Sequence, residues 1–418
     1  MIKRESLLKF TVFLLVMWAY IFFSIGTKLT KFSIPLLIVI LINLILSGNR
    51  LIRLNLTTYL NLLFICFVSS TLFSVLKHGS IYNSFRFCIY YIYGFCIFIL
   101  LSNTGAWEEK AQKYFIFFSF VYAFFTIFSV VNSETYLKLI KALFNERQYI
   151  VISWLIKTNG YPGLAGQTGN NAFMMSIGFA ILFCKIRYGG KNKKIEALLL
   201  LIIGIALLLT GKRSFLFINP LCICLLIYSD NRKKILYTII ILLIVAIVTG
   251  LALFFVSNSE SIINFLENNS SGRFKLYKEA LRQFQLTLIS PVFGNGIQSF
   301  ILLSDVRGSG GEILETHNIY LQLLCETGIF GLSFFLSIIY CNFIQVVKAR
   351  KALGQMDNEY QVLLSVSLYI QLIFVLYGMF GNPINDMNML FIYFIFSALP
   401  YSLGQKYKAY KNLVGGKG

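Results

Sequence analysis

The apolar positions of this chain fall in repeated long runs separated by short polar segments. Each run is close to the length, about 17 to 25 residues, that an α-helix needs to cross a hydrocarbon core ~30 Å thick. Runs at 10–25, 32–47, 56–76, 85–101, 114–131, 171–184, 195–210, 214–229, 235–256, 319–347, 360–380 and 387–403 predict twelve spans, with both chain ends on one side. Inside a bilayer every backbone donor and acceptor has to be satisfied within the protein, which a helix does by itself. The pattern therefore predicts an all-α integral membrane protein, one polytopic unit over residues 1–418 with about twelve transmembrane helices.

Composition agrees. Hydrophobic residues make up 57% and charged residues 13%, about half the charged share of a soluble domain, and the mean hydropathy is +0.73. A net charge of +20 would suit nucleic acid, but the basic residues are scattered over short loops with no aromatic-interleaved stripe, so no nucleic-acid partner is expected. They sort by side instead. With the N-terminus inside, the inner segments hold 22 of the 37 Lys and Arg and the outer ones 15, the bias that the positive-inside rule describes. Both termini are then cytoplasmic, and the clusters at 191–194, 232–234 and 348–351 are inner anchors. The opening MIKRESLLKF lacks a small-x-small cleavage site and reads as part of a retained first helix. All eight cysteines lie in or at the ends of spans, so no disulfide is expected.

Two outer loops break the rhythm by their length. The first, 132–170, carries an amphipathic piece with Leu137, Ile140 and Phe144 on one face and Lys138, Lys141 and Glu146 elsewhere, expected to lie flat on the membrane. GYPGLAGQTGNN, Gly160 to Asn171, follows and reads as an irregular loop whose amides could face a polar ligand; its spacing fits no phosphate-loop or dinucleotide fingerprint. The second, 257–316, places Phe274, Tyr277, Leu281, Phe284 and Leu288 at spacings of 3, 4, 3 and 4, a second interfacial helix expected to end at Pro291. After it, Gly294 and Gly296 allow a tight, close-approaching turn, and an acidic patch of Asp305, Glu312 and Glu315 precedes His317.

Candidate chemistry collects on the outer side. TGKRSF, Thr210 to Phe215, puts Lys212 and Arg213 where the charge rule disfavours them, so they need a use. Arg213, Arg273 and His317 come from three separate segments. Guanidinium groups bind phosphates bidentately and keep their charge, and a histidine near neutral pH can accept a proton. The set suits a lipid pyrophosphate at the outer leaflet. His78, the other histidine, reads as a headgroup-level surface residue beside Lys77 and Arg86. No Asp-x-Asp pair or cluster of ligand spacing stands on the outer side, the nearest approach being Asp386 with Asn388, so neither metal nor cofactor is expected. Glu326, buried just inside a span, is expected to pair with a basic residue or with the end of another helix. Gly328 and Gly331 read as close helix packing.

The segments SGRFKLYKEALRQF, PVFGNGIQSF and THNIYLQLLCETGIFGL, preceded by TGKRSF, resemble the O-antigen polymerase and O-antigen ligase superfamily of bacterial envelope glycosyltransferases. The likeness is strongest from Gly160 to Leu332; residues 1–130 share only hydropathy with the family. The resemblance implies a GT-C-like fold in the bacterial cytoplasmic (inner) membrane with an extracytoplasmic active site. Its donor is an undecaprenyl-pyrophosphate-linked oligosaccharide and its acceptor another sugar hydroxyl, transferred with inversion and without a metal. His317 matches the family's proposed general base, and Arg213 and Arg273 match the arginines that engage the pyrophosphate. Lys212, Arg282, Asn318, Tyr320, Glu326, Gly294 and Gly296 are candidate supporting residues. Membrane lipids, a chain-length regulator and a flippase are the further partners implied. Polymerase is preferred, with ligation of finished glycan to lipid A core or protein as the alternative. A lipid transporter is more distant, because broken midplane helices and repeat symmetry are missing from the sequence.

Overall fold

A computed structural model describes residues 2–22, 33–47, 54–72, 75, 81–189, 192–229, 273–307, 314–353 and 357–415. The helices in chain order are α1 (Ile2–Met17), which continues into a π-helical turn at Trp18–Phe22, α2 (Ser33–Ser47), α3 (Leu56–Ser70), α4 (Tyr82–Ser102), α5 (Glu108–Val131), α6 (Ser133–Leu143), α7 (Glu146–Lys157), α8 (Thr168–Tyr188), α9 (Lys193–Leu209), α10 (Arg213–Ser229), α11 (Arg273–Phe284), α12 (Ser290–Phe293), α13 (Ser299–Leu303), α14 (Ile319–Leu353), α15 (Asn358–Tyr377) and α16 (Met387–Gly415). Helices stand at eleven of the twelve predicted spans. The ninth, 235–256, lies outside the described residues, as do His78 and Glu312.

The protein is a multi-pass helical membrane protein. Against twelve expected crossings, six described helices are both long and apolar enough to span a bilayer: α4, α5, α8, α14, α15 and the first part of α16. Three further apolar stretches, Ser6–Ile21, Leu56–Ser70 and Arg213–Ser229, are shorter. The apolar windows of α8, α15 and α16 are 78%, 83% and 83% buried, against 39% in α5 and α14, so those three helices form the centre of the bundle. Side-chain hydrogen bonds supplement apolar packing there, where no hydrophobic force drives helices together. Asn219 Nδ2 donates to Ser176 Oγ at 3.0 Å and the Tyr369 hydroxyl to the Asn219 carbonyl at 3.1 Å. At the opposite end of the bundle from the candidate site, buried Glu108 accepts from Lys406 Nζ at 2.8 Å and from Ser402 Oγ at 2.6 Å, tying α5 to α16.

The two loop regions hold more structure than their sequences suggest. The first contains two helices, α6 and α7, whose apolar sides close on each other and on α5 through Tyr136, Ile140, Phe144 and Ile152. Leu137 is half-buried beside this cluster. In the second, α11 ends at Phe284, before the expected stop at Pro291, and Pro291 opens α12 instead; proline suits a first turn, where its missing N–H costs nothing. The buried face of α11 is also rotated from the expected one. Leu276, Ala280, Glu279 and Gln283 point inward with Phe274, while Leu288 is 99% exposed beyond the helix end. The helix packs on α14 and α13, and its inward polar groups are paired there: Glu279 with Arg282 and Gln283, and Gln283 with the Phe300 carbonyl at 3.4 Å.

α14 bends at Gly328, whose φ of 64° lies in the left-handed region that a Cβ penalises. At the bend, the Cys325 carbonyl accepts from Asn295 N at 3.1 Å and the Glu326 carbonyl from Gly296 N at 2.8 Å. The turn between α12 and α13 is thus stitched into the bend. Gly331, one turn on, leaves room for Phe67 of α3, the close packing expected of it.

Candidate functional site

Residues at the starts of α8, α10, α14 and α16 and in the first described turn of α11 come together. A methyl group on Gly169 would lie 3.6 Å from Lys212 Cε and 2.5 Å from the Tyr377 hydroxyl, so the starts of α8 and α10 and the end of α15 touch. Asn170 lies beside Asp386, and Tyr277 of α11 beside Asn318. The start of a helix is the positive end of its dipole, which favours an anion nearby.

His317 stands just before α14, with φ 52°, in a region few non-glycine residues occupy. Its neighbours impose that conformation. Asn318 caps α14, its Oδ1 accepting from Tyr320 N at 3.0 Å and Leu321 N at 3.1 Å. Thr316 Oγ1 donates to the Asn318 carbonyl at 2.8 Å. Ile319 N donates to the Gly378 carbonyl at 2.9 Å, and the Tyr320 hydroxyl to the Val375 carbonyl at 2.8 Å, so the start of α14 is fixed to α15. Tyr320 is therefore an anchor of the helix that presents His317.

Two cations act on His317. Burial, then the charge of Arg273, then that of Lys212 hold its imidazole well below the usual range, at about 4. Lys212, mostly buried, has its own affinity for a proton lowered by burial and by Arg273, and raised by Asp386. Lys212, Arg273, His317 and Asp386 thus lie close enough to act on one another's charge. Arg213, adjacent to Lys212, is exposed. Arg282 is turned elsewhere: its Nε and Nη2 lie 2.8 and 2.7 Å from the Glu279 carboxylate, and its Nη2 also reaches the Leu303 carbonyl at 3.3 Å. Glu326 Oε1 accepts from Phe300 N at 3.2 Å and from Gln322 Nε2 at 3.1 Å, and so meets the end of another helix, α13. Gly294 and Gly296 lie in the turn stitched to α14, away from the cations.

The segment between α15 and α16, Gly381 to Asp386, also belongs to the site, and only Asp386 in it stands out in the sequence, for its spacing to Asn388. Asn382 Nδ2 donates to Glu315 Oε2 at 2.7 Å and Asn385 Nδ2 to Glu315 Oε1 at 3.2 Å, while Gln298 Nε2 donates to Asn385 Oδ1 at 2.8 Å. Burial raises the Glu315 carboxyl above the usual carboxylate range, against those amide hydrogen bonds. Burial and the neighbouring Glu315 push Asp386 up to about 7, with Asn170 and Lys212 pulling the other way. The signal available in the sequence was a pair of asparagines and an aspartate, Asn382, Asn385 and Asp386, between two spans, with no Lys or Arg among them. Among the described residues no group of three or more His, Cys, Asp or Glu is placed to hold a metal ion.

The arrangement offers positive charge and one imidazole held in its neutral form. That combination can bind a multiply charged phosphate ester and accept a proton beside it. Residues 198–336 match the family model described as O-Antigen ligase. The match takes in Lys212, Arg213, Arg273 and His317 and leaves out Asn170 and Asp386. No curated protein matches the chain. Over residues 198–336 the chain is thus similar to the O-antigen ligase family, in line with the resemblance to O-antigen ligases and polymerases that its motifs carry.

Proposed function

We propose that this protein is a glycosyltransferase of the outer face of the bacterial cytoplasmic membrane that polymerises undecaprenyl-pyrophosphate-linked oligosaccharide repeat units. The observation that carries the reading is the meeting of Lys212, Arg273 and His317 at converging helix starts. Arg273 and Lys212 bind the pyrophosphate, with the exposed Arg213 next to Lys212, and offset the charge that grows on it as the glycosidic C–O bond breaks. His317, neutral, takes the proton of the acceptor hydroxyl as its oxygen bonds to the anomeric carbon from the opposite face, which inverts the configuration. The leaving group departs as lipid pyrophosphate, and the positive charge it needs comes from side chains. Glu315, held by asparagines, and Asp386 line the acceptor side.

The ligase reading stands second, favoured by the description of the matching family model. Deleting the gene separates the two. Loss of a polymerase leaves single repeat units on the cell surface or on the lipid carrier; loss of a ligase leaves full-length polymer on the carrier. Accumulation of full-length, carrier-linked polymer overturns the polymerase assignment.

A further inference from the structure

Asn295 lies between the helix that carries Arg273 and the helix that presents His317, and it bonds to both. Its Nδ2 donates to the Gln283 carbonyl of α11 at 2.6 Å and to the Cys325 carbonyl of α14 at 3.1 Å, and its backbone N–H donates to the same Cys325 carbonyl at 3.1 Å. Its Oδ1 accepts from Ser290 Oγ at 2.7 Å. The side chain is 7% exposed, and no ionised group satisfies it. The two helices lie side by side and start together: Tyr277 meets Asn318 near the site, and Leu276 and Ala280 pack with Cys325 and Phe300. Gln283 is ten residues from Arg273 and Cys325 eight from His317, roughly 15 and 12 Å along the helices, so Asn295 touches nothing that reacts. What it fixes is the position of one helix against the other.

We propose that Asn295 is a positioning residue that clasps α11 to α14 and thereby holds the Arg273 guanidinium beside His317. The proposal rests on the reading of Arg273 and His317 as the working pair, but its geometry can be tested without the transfer reaction. The chain has only two histidines. His78→Gln therefore leaves a single imidazole to follow by NMR in the full-length, histidine-labelled protein in nanodiscs.

Arg273→Ala removes a neighbouring cation and should move the His317 titration midpoint upward by about one pH unit. Asn295→Ala should move it upward as well, by a comparable amount, and adding Asn295→Ala to Arg273→Ala should move it no further. Asn295→Asp, which keeps the shape and the acceptor but lacks the donor to Gln283 and Cys325, should behave like Asn295→Ala, and it takes that variant's place if the alanine chain is not recovered. A midpoint unchanged by the Asn295 substitutions while Arg273→Ala shifts it, or equal shifts from Asn295→Ala with and without Arg273, would overturn the clasp. In a transfer assay the clasp predicts that Asn295→Asp lowers kcat about tenfold or more with KM changed far less. If the midpoints shift as expected but no lipid-linked glycan is turned over, the clasp stands and the functional reading fails.

Discussion

Gly294 and Gly328 meet backbone to backbone: a Cβ on Gly294 would stand 2.2 Å from the Glu326 carbonyl oxygen, and one on Gly328 would stand 2.3 Å from that of Val292. Both have positive φ, 76° and 64°. This contact lets the turn after α12 enter the bend of α14. Neither obstacle is a flexible side-chain end, so relief requires backbone movement. Gly328→Ala should destabilise the protein by about 3 kcal/mol, combining backbone strain with overpacking. A thermal unfolding midpoint equal to that of the wild type would show that the bend tolerates a side chain.

Lys212 and Arg213 are adjacent, but they occupy different surroundings. Lys212 is mostly buried and feels the charges of Arg273 and Asp386; Arg213 is exposed. Lys212→Ala should lower kcat/KM by about 10²-fold, the scale for removing one preorganised charge-stabilising group. Arg213→Ala should lower it as well, with more of the loss in KM, because an exposed cation steers and holds the lipid pyrophosphate. Steady-state kinetics on an undecaprenyl-pyrophosphate-linked oligosaccharide decide this, and a Lys212→Ala enzyme with wild-type kcat/KM would remove Lys212 from the site.

The pH profile follows from the two shifted groups. His317 works unprotonated, and in the free protein burial, Arg273 and Lys212 hold its pKa at about 4. The acid limb of kcat/KM should therefore lie near pH 4, where the ordinary imidazole value would put it near 6.5. Bound pyrophosphate offsets the two cations, so the acid limb of kcat should lie higher. Asp386, at about 7, is neutral below that pH and ionised above it, where it competes with the ligand for Lys212. Affinity should weaken as pH rises through about 7, and Asp386→Asn should abolish that dependence. An acid limb of kcat/KM at 6.5, or a basic limb unchanged in Asp386→Asn, would contradict these assignments.

The helical segments, and the charged groups that the structure brings together, are legible in the sequence because each depends on local signals. Apolar runs of bilayer length predict helices directly, and Arg273 and His317 announce themselves as charged or titratable groups at helix starts. The parts that were not legible depend on distant partners. The inward face of α11 could not be read from its periodicity because Glu279 and Gln283 are buried by pairing with Arg282 and with the Phe300 carbonyl, while the apolar spacing pointed to Tyr277 and Leu288. Asp386 carries no local signal of a role, because the residues that act on it, Asn170, Lys212 and Glu315, are 71 to 216 positions away in the chain. The bend at Gly328 has no local signal for a related reason: the turn that fills it arrives from residues 292–296.

The most direct test of the central claim is single-turnover transfer by purified His317→Ala in proteoliposomes supplied with undecaprenyl-pyrophosphate-linked repeat units. With Arg273 and Lys212 in place the variant should still bind the donor, yet the glycosidic bond should form about 10²- to 10⁴-fold more slowly, the loss expected for a missing general base. Transfer at the wild-type rate would contradict the role given to His317.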